Sequence, residues 1–287
     1  MVIIKPIKKM EHKSNTNYFN SLIRLGLFIL PLLMVFESYG QKISTSPTRL
    51  NFKVEPGGSQ RGKITVANNS EESQAFQVDF GDFDASRSGK SQFLQRGELA
   101  RSCADWVSAD PAFFELAPGE KQEIMLVMNV PQDSSALMAR WAVAYIRLAQ
   151  ERQGQDQNSE GLVVNLNQSY RFGVYIFQTP PSVTYSKGEI LDFTQNDNSL
   201  ILRLRNIGET FLKCNSYVEI TNLSNGETKR LKASNFTVLP ASNRDVIFEL
   251  PSDYAPGRYS VLGVLDYGNR DEVAAAELEM IIPERGK

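Results

Sequence analysis

The sequence predicts an all-β protein of two β-sandwiches in tandem. Three observations carry this. No segment after residue 41 shows a sustained 3.6-residue apolar period, while short alternating runs punctuated by Gly, Pro, Asn and Asp recur throughout. One run, Leu162 to Pro181 (LVVNLNQSYRFGVYIFQTPP), alternates over most of its length and stops at a Pro-Pro pair. After that pair the alternating pattern starts again.

The N-terminus reads as a targeting segment. Lys5, Lys8, Lys9, Lys13 and Arg24 precede the apolar run Leu25 to Phe36, and Ser38 and Gly40 supply small residues before Gln41. That order is a secretory signal peptide, with cleavage expected near Gly40-Gln41. Its apolar run is shorter than the roughly 20 residues that span a bilayer, so no stable membrane insertion is expected after cleavage. The expected layout is a signal peptide over 1–40, a first domain over 41–180 and a second over 181–287.

Removing residues 1–40 takes away five basic and two acidic side chains. The remaining 247 residues hold 26 basic against 31 acidic groups, a net charge of −5. A chain of this sign lacks the footprint of a nucleic-acid binder. The one histidine, His12, falls in the segment to be removed. Ser-His-Asp and Cys-His catalysis and histidine metal sites are therefore excluded. The two cysteines, Cys103 and Cys214, fall in different expected domains and read as two separate buried thiols.

In the first domain, Arg49 to Val54 reads as a strand ended by Glu55-Pro56-Gly57-Gly58. Lys63 to Ala67 runs into Asn68-Asn69, and Ala75 to Phe80 is the third strand. Trp106-Val107 and Phe113 to Leu116 frame a short fourth. The turn Ala117-Pro118-Gly119-Glu120 leads into Gln122 to Val130; Trp141 to Leu148 follows, and the polar loop Gln150 to Gly161 reaches the long strand. Seven strands match an immunoglobulin-like sandwich. In the second domain, strands are expected over Ser199 to Arg205, Tyr217 to Thr221, Thr228 to Leu231, Val246 to Leu250, Tyr259 to Tyr267 and Glu277 to Ile282. Asn225-Gly226 marks a hairpin. The halves share a plan: an early strand running into Asn, and a late Pro-Gly turn before a strong strand.

Candidate chemistry is sparse. Asp79, Asp82 and Asp84 crowd VDFGDFDASRSG, but without EF-hand spacing, and read as a solvated hairpin turn. Arg101, Arg140, Arg147 and Arg171 read as edge residues with buried stems, and Trp106 and Trp141 as packing residues. Asn68, Asn167, Asn222 and Asn235 each begin an Asn-x-Ser/Thr sequon, a pattern that turn-rich chains contain by chance. Nothing brings two acids together for hydrolysis, so no catalytic residue, metal or cofactor is expected.

Four stretches together resemble the PapD-like periplasmic chaperones of pilus assembly. They are SPTRLNFKVEPGGSQRGKITVANNS, PAFFELAPGEKQEIMLVMNVPQD, NQSYRFGVYIFQTP and PGRYSVLGVLDYG. The resemblance implies two immunoglobulin-like domains, a periplasmic location and no enzyme activity. It implies an exported β-rich subunit as partner, completed by strand donation. The donated face would be Val164, Leu166, Tyr170, Phe172, Val174 and Ile176, which share one parity. The family anchors its partner's terminal carboxylate with an Arg on the first strand and a Lys on the long strand. Arg49 falls on the Arg position, while the Lys position falls on Tyr175, which brings no positive charge. Arg171 lies on the same strand and would substitute only in a different register. The competing reading is a structural or adhesive envelope module whose long strand is satisfied within its own sheet.

Overall fold

The computed structural model describes residues 42–149, 152–157, 163–168, 171–196, 198–252 and 254–283, the segments 152–157 and 163–168 by backbone alone. The expected signal peptide, residues 1–40, lies outside the described residues. Residues 42–287 form one compact unit. The fold is all-β, two sandwiches in sequence, and among the described residues no helix is long and apolar enough to cross a membrane.

In the first sandwich one sheet orders β1 (Ile43–Ser46), β3 (Ser59–Asn68), β8 (Lys121–Asn129) and β6 (Val107–Asp110). The other orders β2 (Arg49–Phe52), β12 (Arg171–Gln178), β9 (Arg140–Leu148), β4 (Gln74–Ala85) and β5 (Ser91–Leu94), with β7 (Phe113–Leu116) also on β4. A two-stranded hairpin, β10 (Arg152–Gln157) with β11 (Val163–Gln168), continues the chain between β9 and β12. The second sandwich has β13 (Gly188–Asn196), β14 (Ser199–Asn206) and β18 (Asn243–Glu249) in one sheet. Its other sheet has β16 (Thr228–Lys232), β15 (Leu212–Asn222), β19 (Gly257–Asp266) and β20 (Ala274–Ile282), with β17 (Phe236–Val238) on β15.

Alternation sets the two cores. Ile124, Leu126 and Met128 of β8 are fully buried against Ile146, Val174 and Ile176 of the opposite sheet. Leu200, Leu202 and Leu204 of β14 do the same against Val218, Ile220 and Val261. Each such side chain contributes about 1.5–3 kcal/mol by leaving water. Strand β9 is buried on both faces. Ala142, Ala144 and Ile146 face the first core, while Trp141, Val143 and Tyr145 join Phe83, Phe177 and Leu239 in a cluster between the sandwiches.

The shared plan has an atomic basis. Asn68 is fully buried at the end of β3; its Nδ2 donates to Glu72 O (2.8 Å) and Leu116 O (2.9 Å), and its Oδ1 accepts from Ser70 N (3.0 Å). Asn206 ends β14 in the same way, donating to Thr210 O (2.8 Å) and Val238 O (3.0 Å) and accepting from Gly208 N (2.9 Å). A buried amide thus satisfies backbone groups that a turn would leave orphaned.

Three expectations change. Strand β4 does not stop at Phe80 but runs to Ala85, because Gly81 accommodates the Tyr145 ring; a Cβ there would lie 2.7 Å from a ring carbon. The expected short fourth strand is two strands in different sheets, β6 beside β8 and β7 beside β4. The expected long strand falls in β11 and β12, which have different partners, with 169–170 outside the described residues. Strands β1, β5, β13 and β17 carry too little alternation to be read from sequence.

Candidate functional site

The chain changes sheets at its start. Strand β1 pairs with β3, and after Pro47 the chain crosses to pair as β2 with β12, in parallel. Proline cannot donate to a ladder, so the break falls where pairing must stop. The crossing covers only part of β12. Tyr175 to Gln178 pair with Arg49 to Phe52 on one edge and with Arg140 to Val143 on the other. Tyr175 N donates to Thr48 O (2.9 Å), and there the cover ends. Arg171 to Val174 pair with Ala144 to Arg147 alone, and β11 pairs with β10 alone, among the described residues.

Parity then separates two faces of β12. Val174 and Ile176 are fully buried in the first core, and Phe172 packs against that core. This corrects the expectation for Val174 and Ile176. They fill their own sandwich and are not free to enter another protein's. Tyr170 lies outside the described residues, and Val164 and Leu166 are described by backbone position only. Arg171, Tyr175 and Phe177 lie on the opposite face. The Arg171 guanidinium rests over the Tyr145 ring at 4.7 Å and the Phe93 ring at 5.8 Å, away from Arg49.

Arg49 and Tyr175 are opposite one another in the parallel ladder. Arg49 lies over the Phe177 ring at 3.9 Å, and both its Nη atoms donate to Thr237 Oγ1 at 3.3 Å. Burial pushes its guanidinium below the ordinary arginine value, and its buried Nε has no acceptor among the described residues. Tyr175 Oη shares a 2.8 Å hydrogen bond with Ser91 Oγ, and its ring meets Phe83 edge-on at 4.8 Å.

Two clefts meet at Arg49. One, about 460 Å³, is lined by Arg49, Lys53, Phe177, Pro180, Phe211 and Lys213 among others. The second, about 390 Å³, includes Arg49, Ser91, Tyr175, Phe236, Thr237 and Arg244. Among the described residues no acidic side chain lines either one. Such a site can hold an anion by charge-assisted hydrogen bonds. Phe211, Thr237 and Arg244 come from the second sandwich. No sequence signal linked them to Arg49, because only the packing of the sandwiches brings them there.

The remaining candidates have structural partners. Asp79 pairs with Arg147, fully buried Asp82 accepts from Leu99 N (2.9 Å) and Ser102 Oγ (2.5 Å), and Asp84 accepts from Ala85 N (2.8 Å). The acidic turn is thus strand, not a solvated cluster. Arg140 is buried, stacks on Trp106 and donates to Ser135 O, Ala100 O and Ser102 O. Arg101 donates to Ala139 O (3.1 Å), and Trp141 Nε1 to Phe83 O (2.7 Å). Cys103 and Cys214 are both buried and unbridged.

No family model and no curated protein matches the chain. Among solved structures it is similar to PapD-like fimbrial chaperones over most of its length. A chain of the CFA/I fimbriae chaperone–tip adhesin complex is 13% identical, covering 84% of this chain and 98% of that chain, with a TM-score of 0.47. A chain of the CsuC–CsuE chaperone–tip adhesion subunit complex of Acinetobacter baumannii is 11% identical, covering 82% and 98%, with a TM-score of 0.44. The Pseudomonas aeruginosa CupB2 chaperone is 14% identical, covering 83% and 100%, with a TM-score of 0.41.

Proposed function

We propose that this protein is a non-enzymatic, periplasmic chaperone-like binder of exported β-rich subunits, exported by its N-terminal segment. It receives an unfinished sheet along the edge formed by β11 and the first half of β12. The observation that carries the reading is the split pairing of that edge. From Tyr175 to Gln178 it is covered by β2, whereas Val163–Gln168 and Arg171 to Val174 have a single neighbouring strand among the described residues. An unpaired edge is a template for another chain, and strand addition supplies ladder bonds for affinity and alternate side chains for specificity.

The inserted row is Val164, Leu166 and Tyr170, which share the parity of Phe172, Val174 and Ile176, the residues of that row that pack on the protein's own core. Arg171 opposes Arg147 and Gln168 opposes Arg152, and the residues between these pairs lie partly outside the described residues. A guest strand parallel to β12 lies end to end with β2, and its last residue meets Arg49. A terminal carboxylate is the group a guanidinium best receives there.

The test is recovery of a subunit with the tagged full chain from its own host. Native protein is expected to bring down a β-rich partner in equal amount, and Leu166→Asp to lose it. Arg49→Ala is expected to weaken capture more at low salt than at high salt. Equal recovery with Leu166→Asp overturns strand reception.

The competing reading, a structural or adhesive module, draws on the lower half of β12, which has neighbours on both edges. It predicts a stable protein that brings down no subunit.

A further inference from the structure

We infer that the outer face of the first sandwich holds a cleft for an organic monocarboxylate, with Arg171 and Tyr145 receiving the carboxylate and Phe93 packing on its apolar body. The cleft, about 390 Å³, is lined by Phe80, Phe93, Leu94, Tyr145 and Arg171 among others. All its lining residues lie in the first sandwich, and none of them lines the clefts at Arg49. The site stands apart from strand reception, and three observations carry it.

The first is an unanswered donor. Tyr145 is 7% exposed, and its buried Oη has no hydrogen-bond partner among the described residues. A buried hydroxyl in that state is costly until an acceptor reaches it. The ring passes over Gly81 of β4, where a Cβ would come 2.7 Å from a ring carbon, and its neighbour directly opposite on β12 is Gly173. Glycine within a strand leaves room for such a close approach. Burial pushes the hydroxyl above the ordinary tyrosine value, so it remains a donor at neutral pH.

The second is a cation held in place without an acceptor. The Arg171 guanidinium rests on the rings of Tyr145 and Phe93, and no hydrogen bond or ion pair engages it among the described residues. Directly opposite it stands Arg147, a like charge whose partner is Asp79. Stacking restricts the guanidinium, so less freedom is lost when an anion binds. A guanidinium and a hydroxyl can serve the two oxygens of one carboxylate. The third is the character of the walls. Phe93, 43% exposed, offers apolar surface together with Phe80 and Leu94. Arg96 is already paired with Asp105, and Glu98, on the same lining, opposes a second negative charge. The cleft thus suits one carboxylate on an apolar body and not a phosphate dianion.

The experiment titrates the full protein with hydrocinnamate and follows the backbone amide resonances by NMR. Amides of Leu94, Gln95 and Arg171 are expected to shift saturably, and those of Arg49 and Thr237 to stay. The neutral hydrocinnamamide is expected to give no such shift. Arg171→Gln is expected to weaken binding about tenfold, about 1.4 kcal/mol. Tyr145→Phe, which keeps the ring, is expected to weaken binding without lowering the urea midpoint, because the hydroxyl it removes has no partner among the described residues. Equal affinity in the native protein and either variant overturns the inference. So does tighter binding of phenyl phosphate than of hydrocinnamate, or a set of saturable shifts confined to the residues at Arg49. Subunit capture by Arg171→Gln identifies the source of the carboxylate. A loss of capture in step with the loss of hydrocinnamate binding assigns it to an acidic side chain of the subunit, and full capture assigns it to a free small molecule; either supports the site. Hydrocinnamate binding by a native protein that captures no subunit supports this site and overturns strand reception. Capture by a native protein that does not bind hydrocinnamate overturns this site alone.

Discussion

Tyr175 and Arg49 stand opposite each other where β2 takes over the edge of β12, and Tyr175 N donates across that junction to Thr48 O. The tyrosine is tied by its hydroxyl to Ser91 on β5, so it braces the sheet beside the cleft and leaves the charge to Arg49. Tyr175→Phe should therefore lower stability by about 0.5–1.5 kcal/mol, the worth of one hydrogen bond, and leave subunit capture unchanged. Denaturant unfolding and co-purification of the same variant check both halves of this expectation.

The core role of β12 gives a second expectation. Ile176 is fully buried between the two sheets of the first sandwich. Ile176→Val should cost about 0.5–1.5 kcal/mol and Ile176→Ala about 2–5 kcal/mol, through lost burial plus the cavity left behind. Equal, small shifts in denaturant midpoint for both variants would show that the side chain is not packed as described.

The ion pair between Arg87 and Asp245 joins the β4–β5 turn to the second sandwich. Both side chains keep contact with water, so Arg87→Ala should cost no more than about 1 kcal/mol. The loss should shrink in 1 M salt, where the Debye length falls to about 3 Å. Urea unfolding at low and high salt reads the difference.

Lys187 and Glu272 pair at 2.8 Å, and Tyr267 also donates to Glu272. The hydrogen bond from Lys187, then that from Tyr267, holds the carboxyl below its ordinary 4.5. A depressed acid contributes stability above its unfolded value and loses it as pH falls through the folded value. The hydrogen bond to Glu272 raises Lys187, whose contribution is present below 10.5 and is lost as pH rises through its folded value. Glu272→Gln should flatten the acid limb of the stability profile below pH 4.5. An unchanged acid limb would show that the pair does not contribute.

Burial raises both thiols, Cys214 up to about 12 and Cys103 further. Thiolate is the reactive form, so iodoacetamide at neutral pH should leave the native protein unlabelled and modify both cysteines after unfolding. Rapid labelling of either residue in the native state would contradict its burial.

The sheets were legible wherever one face is buried. Lys63 to Ala67, Gln122 to Val130 and Ser199 to Arg205 alternate cleanly; the first and last lie within observed strands, and the second matches β8 up to Asn129. Alternation could not report which side each face meets. Val174 and Ile176 carry the same signal whether they fill their own core or a partner's, and only the cross-sheet contacts with Ile124 and Met128 decide it. Arg49 stood out because it is a cation on the first strand. Thr237 and Arg244 did not, because their meaning arises from contact across nearly two hundred residues of chain. The end of β4 was misread because Asp79, Asp82 and Asp84 suggest a turn, while Asp82 is paid for by two donors inside the structure.

Hydrogen exchange on the co-purified complex, compared with the protein alone, tests strand reception most directly. Amides of 163–168 and 171–174 should gain protection in the complex, while those of 175–178, already flanked by β2 and β9, should not change. Equal protection of 163–168 and 171–174 with and without the partner would contradict it.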